Sequence, residues 1–225
     1  MKKIISYSLW GNNPKYTEGA INRVKEAKQL LPDYICRFYL YDSVPLQIRN
    51  ELIKLKSEVI DITGKGDWTG MFLRFYPASE NDIDIMLSRD CDSEITIREV
   101  EAIRQFEQSD KSFHIMRDHP WHNIEILGGM WGSKKGSINN IKQLINNWKQ
   151  EDRWQTDQEF LKYIIYPLIK NNCMSHDEFF NYESHKLNFP TKRIYDEFCC
   201  NVKYPNNTRE EEHHTVLRNY LKNIK

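Results

Sequence analysis

Apolar positions along the chain fall alternately into short continuous runs and helically spaced stripes. Lys3–Trp10 is nearly continuous and predicts a buried first strand, ended by the turn cluster Gly11-Asn12-Asn13-Pro14. Thr17 and Glu18 open a helix whose apolar face is Ile21, Val24, Ala27, Leu30 and Leu31, stopped by Pro32. Tyr34–Tyr41 reads as a second strand. Pro45 starts a helix carrying Leu46, Ile48, Leu52, Ile53 and Leu55. Glu58–Thr63 is a third strand, closed by Gly64-Lys65-Gly66. Strand and helix thus alternate through the first third, the mark of a doubly wound α/β sheet.

Asp67–Ala78 reads as helical, with Trp68, Met71, Phe72 and Phe75 apolar and Arg74 among them. Pro77 and the Asn81-Asp82 turn lead into a short apolar run, Ile83 and Ile85–Leu87, which reads as a strand buried on both faces. Thr96–Phe106 is a helix, Phe113–Met116 a strand, and Leu127–Ser133 a strand or tight hairpin whose glycines permit close backbone approach. Ser137 caps a helix to Trp148. Thr156, in a capping-box pattern with Glu159, caps another to Ile169. Cys173–His176 reads as a short strand, and Val216, Leu217, Tyr220, Leu221 and Ile224 mark a terminal amphipathic helix. The whole is expected to be one domain over residues 1–225, with 204–225 a C-terminal helical extension.

Composition narrows the class. Lysine plus arginine equal aspartate plus glutamate at 32 each, so no basic excess exists to drive binding to a nucleic-acid backbone. Aromatic content of 12% suits a surface that stacks sugars or bases, and equally an aromatic core. Five cysteines lack metal-ligand spacing and MKKIISYSLWG lacks a signal-peptide cleavage site, so free thiols in a reducing cytoplasm are expected. No stretch approaches the length of a membrane span.

The chemistry concentrates where the central strand ends, in Ser88-Arg89-Asp90-Cys91-Asp92-Ser93. In extended chain, side chains two residues apart share a side, so Asp90 and Asp92 can converge on one hard cation. Open α/β sheets bind ligands just beyond such strand ends, and Arg89 beside the pair suits a phosphorylated ligand. The alternative is a pair of ordinary turn aspartates. Asp82-Ile83-Asp84 is a second acidic triplet, but it begins the strand.

The run MFLRFYPASENDIDIMLSRDCDS, with LGGMWGSKKG and QTDQEFL downstream, resembles the nucleotide-sugar glycosyltransferases of GT-A fold. The likeness is to retaining enzymes of the glycogenin and bacterial galactosyltransferase type, and from about Lys3 to Arg193 to small soluble glycosyltransferases of large DNA viruses. It implies a Rossmann-like, mixed, mainly parallel central sheet flanked by helices. It implies a hexosyltransferase-like enzyme using a nucleoside-diphosphate sugar, a UDP-sugar, with a glycan or other hydroxyl as acceptor and Mn²⁺ or Mg²⁺ as cofactor. If the chain is viral, the compartment is the host cytoplasm. By the same resemblance Asp90, Asp92 and His176 hold the metal. Ser8, Leu9, Trp10 and Tyr16 seat base and ribose, while Arg74, Ser88, Arg89 and Gly129 complete the donor side. Asp157 is the carboxylate at the reacting sugar, and Asp118, His119, Trp121 and His122 line the sugar or acceptor site. Asp118 or Asp157 would serve as base if the enzyme inverted.

Each assignment has a structural alternative. Trp10 can be core, Arg74 a surface-helix residue, His176 a structural histidine, and Asp157 simply an acid in the first helical turn. The pattern also departs from the family after His176, where Asp177-Glu178-Phe179-Phe180 replaces its glycine and Lys-Pro-Trp elements. Lys192 or Arg193 is left to face phosphate. Two other classes compete: a phosphotransferase or phosphatase with Asp90 as nucleophile and Asp92 as acid, and a non-catalytic carbohydrate-binding protein of the same fold.

Overall fold

In the computed structural model, which describes residues 1–223, seven strands form one sheet. They are β1 (Lys3–Leu9), β2 (Tyr34–Tyr41), β3 (Glu58–Ile62), β4 (Ile85–Ser88), β5 (Phe113–Arg117), β6 (Trp131–Lys134) and β7 (Cys173–Asp177). Their spatial order is β3-β2-β1-β4-β6-β5-β7. All neighbours run parallel except the pairs made by β6, which is antiparallel to β4 and to β5. The sheet is therefore mixed and mainly parallel, as the alternation of elements requires. From β1 the chain goes to β2 on one side, while β4 pairs with β1 on the other. The carboxyl ends of β1 and β4 thus flank a topological switch point, where such sheets open a crevice.

Neighbouring residues of the central strands supply opposite faces, as the two-residue strand period demands. Ile5, Tyr7, Leu9 and Leu87 pack with α1 (Pro14–Leu30), α2 (Leu46–Lys54) and α3 (Ile97–Gln108) through Val24, Leu52, Ile103 and Phe106. Ile4 and Met86 face the other way, toward Phe72, Phe75, Trp131, Phe160 and Ile165. That second layer includes α4 (Ile141–Asn147), α5 (Thr156–Phe160) and α6 (Tyr166–Ile169). The terminal helix α7 (Glu211–Asn223) buries Leu217. Ile224, expected on its apolar face, lies outside the described residues.

Several boundaries differ from expectation, each for a local reason. α1 starts at Pro14, because the Asn13 side chain accepts the Lys15 N–H at 3.0 Å and proline suits the first helical position. α4 begins only after Asn140, so Ser137 caps nothing. Gln155, at φ 69°, precedes α5, and Thr156 accepts the Glu151 N–H at 3.2 Å instead of capping. The helix expected to run unbroken to Ile169 widens into a π segment over Leu161–Ile165. Pro167 lies two residues beyond it, and a proline ring cannot accept the usual α-helical turn before it.

Trp68–Ser79 is helical, but with three residues per turn. In that geometry residues three apart share a face, so Phe72, Phe75 and Ala78 form one buried line. Trp68, Met71 and Arg74 form the adjacent line, and all three face the crevice. An α-helix would rotate each by about 60° from the last over the same spacing.

Candidate active site

The crevice is a cavity of about 500 Å³ at the switch point. The end of β1 and the following turn supply Ser8, Leu9, Trp10, Asn12 and Asn13. Tyr16 comes from the first turn of α1, Trp68, Met71 and Arg74 from the three-residue helix, and Trp154 from the turn before α5. Asp90, Cys91 and Asp92 close it from the end of β4. Trp10 and Trp68 meet edge to face at 5.8 Å, and Trp154 is 66% exposed at the mouth. Flat aromatic walls beside two carboxylates suit a ligand with a ring at one end and phosphate at the other.

Arg74 is the pivot of the polar floor. Its guanidinium is buried, donating to Asp90 through one terminal nitrogen and to Asp157 Oδ2 through the other at 2.8 Å. Its backbone N–H donates to Ser8 Oγ at 3.1 Å, tying the floor to β1. Burial pushes the Asp157 carboxyl above its ordinary range, and Arg74 opposes that shift. Asp92 is raised as well, first by burial and then by the charge of Asp90, with Lys15 acting against both. Lys15 Nζ lies 3.0 Å from Asp92 Oδ2.

The glycine pair before β6 is part of this construction. A Cβ on Gly129 would collide with the Asp90 carboxylate, and one on Gly128 would strike the Arg74 guanidinium and lie 2.9 Å from Asp157 Oδ2. Ser88 Oγ donates to the Gly128 carbonyl at 2.6 Å, while the Gly128 N–H donates to Gln158. Gln158 also donates to the Ile126 carbonyl at 3.0 Å. The Asp-Gln pair at the start of α5 thus holds the arginine with one side chain and the glycine turn with the other.

Of the residues expected from sequence, Ser8, Leu9, Trp10, Tyr16, Arg74, Asp90 and Asp92 are gathered around the one cavity. Ser88, Gly129 and Asp157 stand directly behind it. The others are elsewhere. Arg89 turns inward, donating to Glu99 at 2.5 Å and to the carbonyls of Ser88 and Trp131. A strand-end side chain beside two cavity-facing aspartates points to the opposite side, and here that side is the core.

Asp118 is fully buried and accepts from Nε and one terminal nitrogen of Arg98, a terminal nitrogen of Arg193 at 2.5 Å and the Cys199 N–H at 3.0 Å. With its lone pairs so occupied it joins chain segments and is not placed to move a proton. Arg193 is committed to the same hub. His176 is also fully buried, with Nδ1 at 2.8 Å from His114 Nε2 and Nε2 at 2.9 Å from Gln105 Oε1. Both ring nitrogens are used, so His176 does not join the aspartate pair. His119, Trp121 and His122 stack with Phe198 and His213 around the start of α7, away from the cavity wall.

Among the described residues no three His, Cys, Asp or Glu side chains are grouped to hold a metal. Asp90 and Asp92 alone fit a hard divalent ion of the kind that takes one or two carboxylates and fills its other positions with phosphate and water. Without a histidine ligand, nothing in the set prefers Mn²⁺ over Mg²⁺.

Residues that the sequence reading did not single out complete the site. Lys15 had one signal, a lysine in the first turn of a helix, where the dipole disfavours it. Segment 199–203 had none. Val202 bridges Ser93, Lys203 N–H donates to the Asp92 carbonyl at 2.9 Å, and Cys200 Sγ sits 3.2 Å from Ser93 Oγ. This C-terminal strand-like segment therefore braces the aspartate loop from outside.

No protein-family model and no curated protein matches the chain. Solved structures do. A glycosyltransferase involved in glycosylation of the major capsid of PBCV-1 superposes with a TM-score of 0.52 at 18% identity, covering 79% of this chain and 82% of that one. Glucosyl-3-phosphoglycerate synthase from Mycobacterium tuberculosis, in complex with Mn²⁺, UDP and phosphoglyceric acid, gives 0.48 at 10% identity, covering 87% and 72%. A 4-diphosphocytidyl-2C-methyl-D-erythritol synthase from Anaerococcus prevotii also gives 0.48, at 9% identity, covering 98% and 99%. The chain has a fold like that of the GT-A nucleotide-sugar glycosyltransferases.

Proposed function

We propose that the protein is a metal-dependent glycosyltransferase that moves a sugar from a nucleoside-diphosphate sugar, a UDP-sugar, to an acceptor hydroxyl. The observation that carries this reading is the convergence of Asp90, Asp92 and Arg74 on an aromatic-walled cavity at the switch point. Asp90 and Asp92 are the residues that would hold a divalent ion, whose charge would stabilise a departing diphosphate. The chain's own contribution is to fix those carboxylates. Arg74 holds Asp90, Asp157 holds Arg74, and the glycine turn lets both approach. Trp10, Tyr16 and Trp68 offer faces and edges to the base, and Ser8 and Asn13 offer polar atoms to the ribose.

Retention at the anomeric carbon suits this wall. The carboxylates lining the cavity, among the described residues, are Asp90 and Asp92, and both face cations. An inverting enzyme would need a further carboxylate as base, whereas in a retaining one the leaving phosphate can accept the proton. The same pairing weakens the phosphotransferase reading. An Asp90 nucleophile would attack with one oxygen bound to Arg74.

Release of UDP from a panel of UDP-sugars, with MnCl₂ or with EDTA, tests the function. The expected result is metal-dependent release, lost in Asp92→Asn and kept in Asp82→Ala, whose side chain pairs with Lys2 at the opposite end of β4. Equal loss in both variants, or release that ignores EDTA, contradicts the assignment.

A further inference from the structure

Asp90 and Asp92 have separate counter-ions of different character. Arg74 is buried and locked from two sides by Asp90 and Asp157. Lys15 is different: among the described residues its ammonium touches Asp92 alone of the acids, and its side chain is 26% exposed. It rests over the rings of Tyr16 and Tyr204 at 5.4 and 5.6 Å. These contacts guide a flexible stem without clamping it, since cation–aromatic contacts at exposed sites are individually weak. The base of the stem, by contrast, is fixed. Asn13 caps α1 through the Lys15 N–H, and a Cβ on Gly19 would lie 2.5 Å from the Cys91 carbonyl, so α1 abuts the aspartate loop.

We propose that Lys15 is an exchangeable counter-ion, which competes with a divalent ion for Asp92 and passes to the donor's phosphates when the ion takes the carboxylate. This rests on the donor-site reading above and adds the residue that completes it. A divalent ion and an ammonium cannot both hold the same carboxylate oxygen. A phosphate oxygen sharing such an ion would lie about 3 Å from the aspartate oxygen, given usual metal–oxygen distances near 2.1 Å. The displaced ammonium therefore needs to move only a few ångströms, over the Tyr16 ring that lines the cavity. Of the two cations expected late in the chain to face phosphate, Arg193 is bound to Asp118 and Lys192 is not among the residues lining the cavity.

Lys15→Met, which keeps the stem and removes the charge, separates the two halves of the exchange. Calorimetric titration with MnCl₂ alone should show the variant binding roughly threefold or more tightly than the wild type, because a competing cation is gone. Titration with UDP at saturating Mn²⁺ should show it binding about tenfold more weakly, for loss of a charge-assisted contact. The opposite signs are the signature. A merely structural lysine would move neither, or would weaken both together with the melting temperature. Wild-type binding of both ligands with an unchanged variant, or a variant weakened for Mn²⁺, overturns the proposal alone. A wild-type chain that binds neither Mn²⁺ nor UDP overturns the donor-site reading and this proposal with it.

Discussion

At the scale of single residues, the site is a chain of buried charges that depend on one another. Arg74 neutralises Asp90 on one side and Asp157 on the other, so its removal leaves two carboxylates without a partner. Arg74→Met should lower the free energy of unfolding by about 3 kcal/mol, near the low end for a broken buried pair because Asp90 is partly exposed. Urea titration measures it, and a loss below about 0.5 kcal/mol, typical of a surface residue, would contradict the geometry. Asp157→Asn keeps an acceptor for Arg74 and relieves a carboxylate that burial already disfavours in its charged form. Stability should change little while UDP release falls by a factor on the order of a hundred, if the charge positions Arg74 for the reaction. A full rate with unchanged stability would reduce Asp157 to a helix-start residue. That Asp90 and Asp92 share one cavity was legible because strand periodicity puts them on one side. That same periodicity sends Arg89 inward, to Glu99, a consequence available from spacing and obscured by its suggestive charge.

At the scale of elements, β2 was readable to its last residue because Tyr34–Tyr41, apolar and aromatic but for Arg37, lies between turn signals. Trp68–Ser79 was readable as helical but not as a three-residue helix, since apolar residues at 68, 71, 72 and 75 fit either period. The difference matters, for it lines Trp68, Met71 and Arg74 along the cavity while Phe72 and Phe75 go to the core. Phe75→Ala should therefore cost about 3–5 kcal/mol of stability, as for other buried phenylalanines. Trp68→Ala should cost less and instead weaken UDP binding, with about 1–3 kcal/mol the usual loss for an aromatic platform under a base. Parallel titrations of denaturant and UDP distinguish the two lines, and equal stability losses would place both residues in one face. The brace from 199–203 was invisible in sequence. Its pairing with Ser93 and Asp92 joins residues a hundred positions apart through single bridges, which leave no periodic pattern.

At the scale of the whole molecule, the described residues contain no helix long and apolar enough to cross a membrane, and the cavity opens at the sheet's switch point. Away from that point, β5 and β7 are joined to α3 by a buried relay from His114 to His176 to Gln105. Burial lowers His176 to about 4, and burial followed by the charge of His176 puts His114 well below its ordinary value. A histidine depressed in the folded state favours folding above its unfolded pKa near 6.5 and loses that contribution as pH falls toward the folded value. From pH 7 to 5, unfolding free energy should drop by about 2 kcal/mol for His176, with His114 adding to the fall. Urea titrations at the two pH values measure it, and a pH-independent stability would remove the relay from the account. The expectation that His176 binds metal came from its position late in the chain. Chain order alone cannot tell a strand interior from a strand end. The central claim, that Asp90 and Asp92 hold an ion bridging to a nucleoside diphosphate, is tested most directly by a crystal structure of the protein with MnCl₂ and UDP. An anomalous manganese peak should lie within coordinating distance of Asp90 or Asp92 and of the diphosphate, with the uracil among Trp10, Tyr16 and Trp68. A peak at Asp118 or His176, or UDP ordered in the cavity with no ion beside the aspartates, would contradict it.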